Sequence, residues 1–297
     1  MKCHLDCIPC FIRQALQAAR FVSDDPAMHE KVVREVLQRA AGMDYNDPPP
    51  LMATQIQRSI RELTDCADPY LGVKQYFNRR IMEMLDDFRD KINRSDEPFE
   101  TAVRLAIAGN IIDFGPTVGV DDAMVLDAVK RALIASIPSE SMQLMRDEIE
   151  KAEKILYLAD NAGEIVFDRL LIEQMPRKKI TLAVKGGPII NDALREDAES
   201  VGLVEIVEVI DNGCDAPGTV LAACSSDFRS RFEAADLIIS KGQANFETLS
   251  DVDAKIIFLL TAKCPVVAGE IGCKMGDMLV CPGKGFRVDE ESSSKVA

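Results

Sequence analysis

Leu156-Tyr157-Leu158-Ala159-Asp160-Asn161-Ala162-Gly163-Glu164-Ile165-Val166-Phe167-Asp168 is the stretch from which the fold is read. Ile155 to Ala159 is a short apolar run, the pattern of a strand buried on both faces. A carboxylate and a carboxamide follow it, then Ala-Gly, then apolar residues at helical spacing (Ile165, Phe167, Leu170, Leu171). A strand-to-helix turn of this kind sets Asp160 and Asn161 at the carboxyl edge of a parallel sheet, where open α/β sheets bind ligands. Gly163 lets the backbone approach a ligand closely, and the helix N-terminus beyond it favours anions. Adjacent oxygen donors without His or Cys suit a hard cation such as magnesium or manganese. Asp and Asn are also common N-caps, and this stretch alone leaves both readings open.

Working outward, the chain from Lys154 alternates strand and helix. The expected strands are Ile155–Ala159, Ile180–Val184, Val204–Ile210, Leu237–Ser240 and Ile256–Leu260, with Pro265–Ala268 and Met278–Val280 as further edges. Helices are expected at Glu164–Gln174, Ile190–Ser200, Pro217–Ala234 and Asn245–Leu249. Apolar strands joined by crossovers of this length predict an α/β fold with a doubly wound parallel sheet.

The chain before it reads as helical throughout. Pro9, Asp25-Pro26, Pro48-Pro49-Pro50 and Asp68-Pro69 punctuate amphipathic segments, proline being well placed in a first helical turn. The expected organisation is a helical N-terminal domain over 1–95, a helical connecting segment over 96–150 that packs on the sheet, an α/β catalytic domain over 151–288, and a polar tail over 289–297 that frays. Starts such as Asp121-Asp122-Ala123 and Pro138-Ser139-Glu140 fall in the connecting segment.

Composition narrows the classes. A chain of 297 residues that is 47% apolar and 28% charged is a globular protein rather than a disordered one. Its net charge of −14 argues against nucleic acid as a partner, which needs a basic surface. No apolar run reaches the roughly 18–20 residues of a membrane span, and the first residues lack a signal-peptide core, so no membrane partner is expected. Nine cysteines cannot all pair within one chain, which favours thiols in a reducing, cytoplasmic setting.

The chemistry is carried by the ends of the strands. The first ends in Asp160-Asn161. The second ends in Lys185-Gly186-Gly187-Pro188, followed by Asn191-Asp192 at the start of a helix. The third ends in Asp211-Asn212-Gly213-Cys214-Asp215, and the fourth in Lys241-Gly242-Gln243-Ala244-Asn245. Taken singly, Asp192 is an N-cap and the lysines are solvated. Taken together, carboxylates, amides, lysines and glycines converge on one sheet edge, which suits a metal and a phosphorylated ligand. Upstream, Gly109-Asn110-Ile111-Ile112-Asp113 reads either as a helix C-cap or as polar groups facing a cleft toward the sheet.

These motifs resemble the metal-dependent damage-control phosphatases, long known as a domain of unknown function. The resemblance spans nearly the whole chain. It rests on Asp160-Asn161-Ala162-Gly163-Glu164 with Asp168, on Lys185 through Asp192, and on Lys241 through Glu247; Gly109–Asp113 and the N-terminal Cys-x-x-Cys look like the microbial stand-alone branch. It implies a helical domain on a Rossmann-like sheet. Asp160, Asn161 and Asp192 would be the ligands of a divalent metal (Mn, Mg, Co or Ni), and Glu164, Asn110, Asp113, Lys241 and Asn245 would line the substrate side. Asp160, Glu164 and Lys241 are the expected catalytic residues, and Lys185 joins the substrate-binding set. The implied reaction is hydrolysis of phosphate esters of small phosphorylated metabolites, sugar phosphates among them. Two other readings stand beside it: an S-adenosylmethionine-dependent protein carboxyl methyltransferase, proposed for relatives of this family, and a non-catalytic phosphometabolite-binding sensor.

Other phosphotransfer signatures are absent. There is no Gly-x-x-x-x-Gly-Lys-[Ser/Thr] loop, no Gly-x-Gly-x-x-Gly after a strand, and no second Asp two residues beyond Asp160. With two histidines, a histidine-based hydrolase is not expected. Cys3, Cys7 and Cys10 are spaced i, i+4, i+7, one face if the segment is helical, with packed thiols, a second metal site or a redox pair all open.

Overall fold

The computed structural model describes residues 1–109 and 122–286. Three helices come first, α1 (Cys7–Val22), α2 (Pro26–Ala41) and α3 (Pro49–Thr64). Proline occupies the first turn of α2 and α3, and Asp25 Oδ1 accepts the Ala27 N–H at 2.9 Å to cap α2. The three share an apolar cluster in which Ala15, Ala18 and Ala19 of α1 leave room for Val32, Val36, Ile56 and Ile60.

Five more helices follow: α4 (Leu71–Met82), α5 (Leu85–Asn93), α6 (Pro98–Ala108), α7 (Asp122–Ile134) and α8 (Ser139–Lys151). Phe77, Ile81, Phe88 and Ile92 of α4 and α5 join the core of the sheet rather than that of α1–α3. The helical half therefore feeds two cores.

The sheet holds β1 (Ile155–Leu158), β2 (Ile180–Val184), β3 (Glu208–Asp211), β4 (Leu237–Lys241), β5 (Ile256–Thr261) and β6 (Met278–Pro282), in the order β3-β2-β1-β4-β5-β6. The first five are parallel and β6 runs antiparallel on β5. Between them lie α9 (Glu164–Glu173), α10 (Arg195–Ser200), α11 (Ser226–Ala234), α12 (Gln243–Leu249) and α13 (Pro265–Ile271). Strand side chains alternate between two cores, as the pleat requires. Ile155, Tyr157, Ile257 and Leu259 face one, and Leu156, Leu158, Ile256 and Phe258 face the other with Phe228 and Phe246. This is the doubly wound α/β fold expected from the alternation. The chain leaves β1 toward β2 on one side and later returns to β4 on the other, so the topological switch lies between β1 and β4.

Four local expectations are corrected. Pro265–Ala268 is not an edge strand but opens α13, with Pro265 in its first turn and Cys264 Sγ accepting the Val267 N–H. Leu203–Glu205 is a 3₁₀ turn, so β3 begins only at Glu208. α10 starts at Arg195 rather than Ile190, because Ile190 sits at φ 44° and Asp192 pairs with Asn161 in an isolated antiparallel bridge. α11 starts at Ser226, capped by Ser225 Oγ on the Phe228 N–H at 3.2 Å. Residues 289–297, where a frayed tail is expected, lie outside the described residues. Among the described residues no helix is long and apolar enough to cross a membrane.

Candidate active site

The two turns that carry Asp160 and Asp192 are zipped together by backbone. Asp160 O accepts the Ala193 N–H at 2.8 Å, the Ala162 N–H reaches Asn191 O at 2.9 Å, and Lys185 N–H reaches Ala193 O at 3.0 Å. Asp192 therefore caps no helix. It is brought against Asn161, and both are buried beside Asp160 at the switch point.

Gly242 shapes the other wall. It follows β4 at φ 78°, and a Cβ there would overlap the Asp160 carboxylate. Gly163 likewise sits at φ 76° as the chain turns from the Asp160-Asn161 pair into α9. Asn161 Nδ2 donates to Asp160 Oδ2 at 2.7 Å and to Glu164 Oε2 at 2.9 Å. With its amide hydrogens on carboxylates, the carbonyl oxygen is what Asn161 offers a cation.

Electrostatically the cluster is over-supplied with carboxylates. Burial, then the neighbouring Glu164 and Asp192 charges, hold the Asp160 carboxyl well above the usual carboxylate range. Burial also raises Asp192, against the pull of Lys185. Lys185 Nζ lies 3.3 Å from Asp192 Oδ2 in an ion pair and donates to Gly218 O, and among the described residues Asp192 Oδ2 accepts no hydrogen bond. Four buried carboxylates (Asp160, Glu164, Asp168, Asp192) face two buried ammoniums (Lys185, Lys241). Among the described residues buried carboxylates thus outnumber buried ammoniums at this edge, and that surplus of hard oxygen donors fits a divalent cation. Among the described residues no group of three or more His, Cys, Asp or Glu side chains is placed to hold a metal ion. The donor set here is two carboxylates and a carboxamide.

Lys241 is placed otherwise than its strand-end position suggests. Its ammonium is fully buried and donates to Glu164 Oε1 at 2.6 Å, Asp168 Oδ1 at 2.5 Å and Ala106 O at 2.8 Å. The two carboxylates raise its pKa above the ordinary lysine value despite burial. Tyr157 Oη adds a hydrogen bond to Asp168 Oδ1 at 2.7 Å. All three ammonium hydrogens have protein partners, so the expectation of Lys241 aimed at a phosphoryl anion is corrected. It clamps α9 to β4.

Asn245 is also internal. Its Nδ2 donates to Ala159 O at 3.2 Å and Lys241 O at 2.8 Å, and its Oδ1 accepts from Thr219 Oγ1 at 2.7 Å. It ties the ends of β1 and β4 to the loop after β3, rather than facing a cleft. Asn110 and Asp113 lie outside the described residues.

Two residues that no motif singled out belong to the site. Lys263, exposed just beyond β5, lowers the Asp160 pKa through its charge. Its signal was available, since lysines follow β2 and end β4 in the same way. Asn78 of α4 accepts the Gly163 N–H on Oδ1 at 2.6 Å; nothing local in its amphipathic helix marks it.

Of the cysteines around the start of α1, Cys7 and Cys10 are half-buried and Cys3 precedes the helix, so the three do not share one helical face. Cys3 is buried, and burial with the adjacent Cys7 thiol pushes it up to about 12. Gln14 Nε2 approaches Cys10 Sγ at 3.6 Å. All nine cysteines are free thiols.

Residues 3–279 match the family described as Damage-control phosphatase ARMT1-like domain. An uncharacterized protein from Methanocaldococcus jannaschii is 36% identical over 290 residues, covering 93% of this chain and 94% of that one. A protein named damage-control phosphatase from Archaeoglobus fulgidus is 37% identical over 288 residues, covering 94% and 98%. A damage-control phosphatase from Pyrococcus horikoshii is 33% identical over 294 residues, covering 97% and 100%. Its crystal structure, described as a DUF89 family protein, superposes with a TM-score of 0.84 at 32% identity, over 96% of this chain and all of that one.

Proposed function

Because this chain belongs to the ARMT1-like damage-control phosphatase family, we propose that it hydrolyses phosphate esters of small metabolites, with a divalent cation, in the crevice between β1 and β4. The observation that supports this most directly is the surplus of buried carboxylates at this edge. Asp160, Asp192 and Glu164 crowd one buried spot at the switch point, and a phosphate ester brings further negative charge to it. Anion binding there requires a cation that the buried lysines do not supply.

Asp160, Asn161 and Asp192 would hold that cation, with Mn, Mg, Co or Ni all compatible with oxygen donors. When bound, it polarises a phosphoryl oxygen and neutralises charge on the departing ester. The protein's own residues do the rest. Lys185 orients Asp192 through its ion pair. Glu164 spans Asn161 and Lys241, fixing the carboxamide rotamer. Lys263, the exposed cation at this edge, meets the incoming anion. Lys241 and Asn245 are positioning residues beneath the site.

The test is a panel of phosphorylated metabolites, sugar phosphates included, assayed for phosphate release with each metal and after chelation. Metal-dependent release supports the reading. Tight binding of an ester without release would replace it with a sensor, and methyl transfer from S-adenosylmethionine to protein carboxylates would replace it with a methyltransferase.

A further inference from the structure

We propose that Asn78, on α4, is the positioning residue that locks together the two turns carrying Asp160-Asn161 and Asp192. The proposal rests on the phosphatase reading above and adds the helical half of the chain to the site's machinery. Asn78 is buried, and its carboxamide is used at both ends. Oδ1 accepts the Gly163 N–H at 2.6 Å, within the turn that follows β1. Nδ2 donates to Asp197 Oδ1 at 2.7 Å, on the element that follows the Asp192 loop. Asp197 Oδ2 in turn accepts the Leu194 N–H at 2.8 Å, two residues beyond Asp192. One side chain from α4 thus reaches the catalytic edge of β1 and, through one carboxylate, that of β2.

The placement matters because of what Gly163 does. At φ 76° it swings the chain from the Asp160-Asn161 pair into α9, and its N–H points at Asn78 rather than along the helix. Lost acceptance would leave that buried N–H unpaired and let the turn rotate, moving the Asn161 amide off Asp160 and Glu164. Lys74, one turn earlier on α4, lies 2.7 Å from Asp68 and 3.8 Å from Asp197, so the Asp197 carboxylate keeps a cation whatever stands at position 78. A residue that orients site residues in this way typically contributes about 10- to 100-fold to metal affinity or rate.

The experiment uses the full chain, Mn²⁺ titrated by calorimetry, and p-nitrophenyl phosphate as substrate. Asn78→Ala is expected to weaken the Mn²⁺ Kd and lower kcat, each by about 10- to 100-fold, with a smaller change in KM. The paired exchange Asn78→Asp with Asp197→Asn reverses the polarity of the central bond. It keeps an acceptor for Gly163 N–H and another for Leu194 N–H, and is expected to recover both values to within a few-fold of wild type. Wild-type Kd and kcat in Asn78→Ala would overturn the proposal. So would a paired variant that melts like wild type yet stays as impaired as Asn78→Ala. A wild-type protein that binds Mn²⁺ but releases no phosphate would overturn the phosphatase reading while the Kd comparison still decides the role of Asn78; one that does neither overturns both.

Discussion

Lys241 Nζ and Glu164 Oε1 lie 2.6 Å apart, both side chains fully buried, one at the end of β4 and the other in the first turn of α9. The pair bridges the topological switch, and Asp168 completes it from one helical turn further on. Removing the cation would strand two carboxylates without solvent. We predict that Lys241→Ala lowers unfolding stability by about 3–5 kcal/mol, read by urea denaturation of the metal-free protein. A variant as stable as wild type would mean that the ammonium acts on substrate instead.

Gly242 is predicted to tolerate no side chain. Gly242→Ala places a methyl group on the Asp160 carboxylate at a φ of 78°. Conformational strain alone costs on the order of 1–3 kcal/mol, and the displaced carboxylate should abolish phosphate release. Full turnover in a folded Gly242→Ala protein would show that Asp160 does not sit where it is needed.

Glu247 gives the protein a pH dependence of defined sign. Burial pushes its carboxyl from 4.5 up to about 7, against hydrogen bonding from Gln243 and the N-terminal amine's charge. The folded state therefore holds a proton that the unfolded chain releases, and stability falls as pH rises from about 4.5 to about 7, then levels. Glu247→Gln keeps an acceptor for Gln243 Nε2 and should flatten that part of the profile. Thermal melts from pH 4 to 8 compare the two; parallel curves would refute the assignment.

Asp215 carries the opposite sign. Hydrogen bonds from Arg58 and Arg61 hold its carboxyl down to about 2. Its contribution is present above the ordinary carboxylate range of about 4 and is lost as pH falls toward 2. Asp215→Asn should remove that acid-side dependence and loosen α3 from Pro188, whose carbonyl Arg61 also binds. Amide exchange in the 185–190 loop is the readout, and unchanged exchange would contradict the coupling.

Much of this was legible in the sequence for a physical reason. Buried parallel strands are continuous apolar runs, so β1, β2, β4 and β5 announced themselves, and the residues that ended them marked the edge where ligands bind. Errors arose where a local pattern had two solutions. Pro265-Val266-Val267 reads as β-branched strand, but Pro265 in a first turn with Cys264 capping it makes a helix. Val204 reads as part of β3 because it is apolar, and it lies exposed in a 3₁₀ turn. Lys241 reads as facing the sheet edge, whereas its partners come from different elements, Glu164 and Asp168 of α9 and Ala106 of α6. The clue is present: Glu164 and Asp168 are four residues apart, among Ile165, Val166, Phe167, Leu170 and Leu171, and two carboxylates on a buried face require a cation. Asn78 and the Asn161–Asp192 bridge depend on contacts between distant segments, which no local pattern encodes.

The central claim is that Asp160, Asn161 and Asp192 form one divalent-cation site that phosphate release requires. Asp160→Ala tests it most directly, through calorimetric Mn²⁺ binding and phosphate release from p-nitrophenyl phosphate on the same sample. Because the Asp160 carboxylate is buried against Glu164 and Asp192, its removal should leave the metal-free melting temperature unchanged or raised. The predicted result is loss of both Mn²⁺ binding and phosphate release in a protein that melts normally. Wild-type Mn²⁺ affinity together with wild-type phosphate release would contradict it.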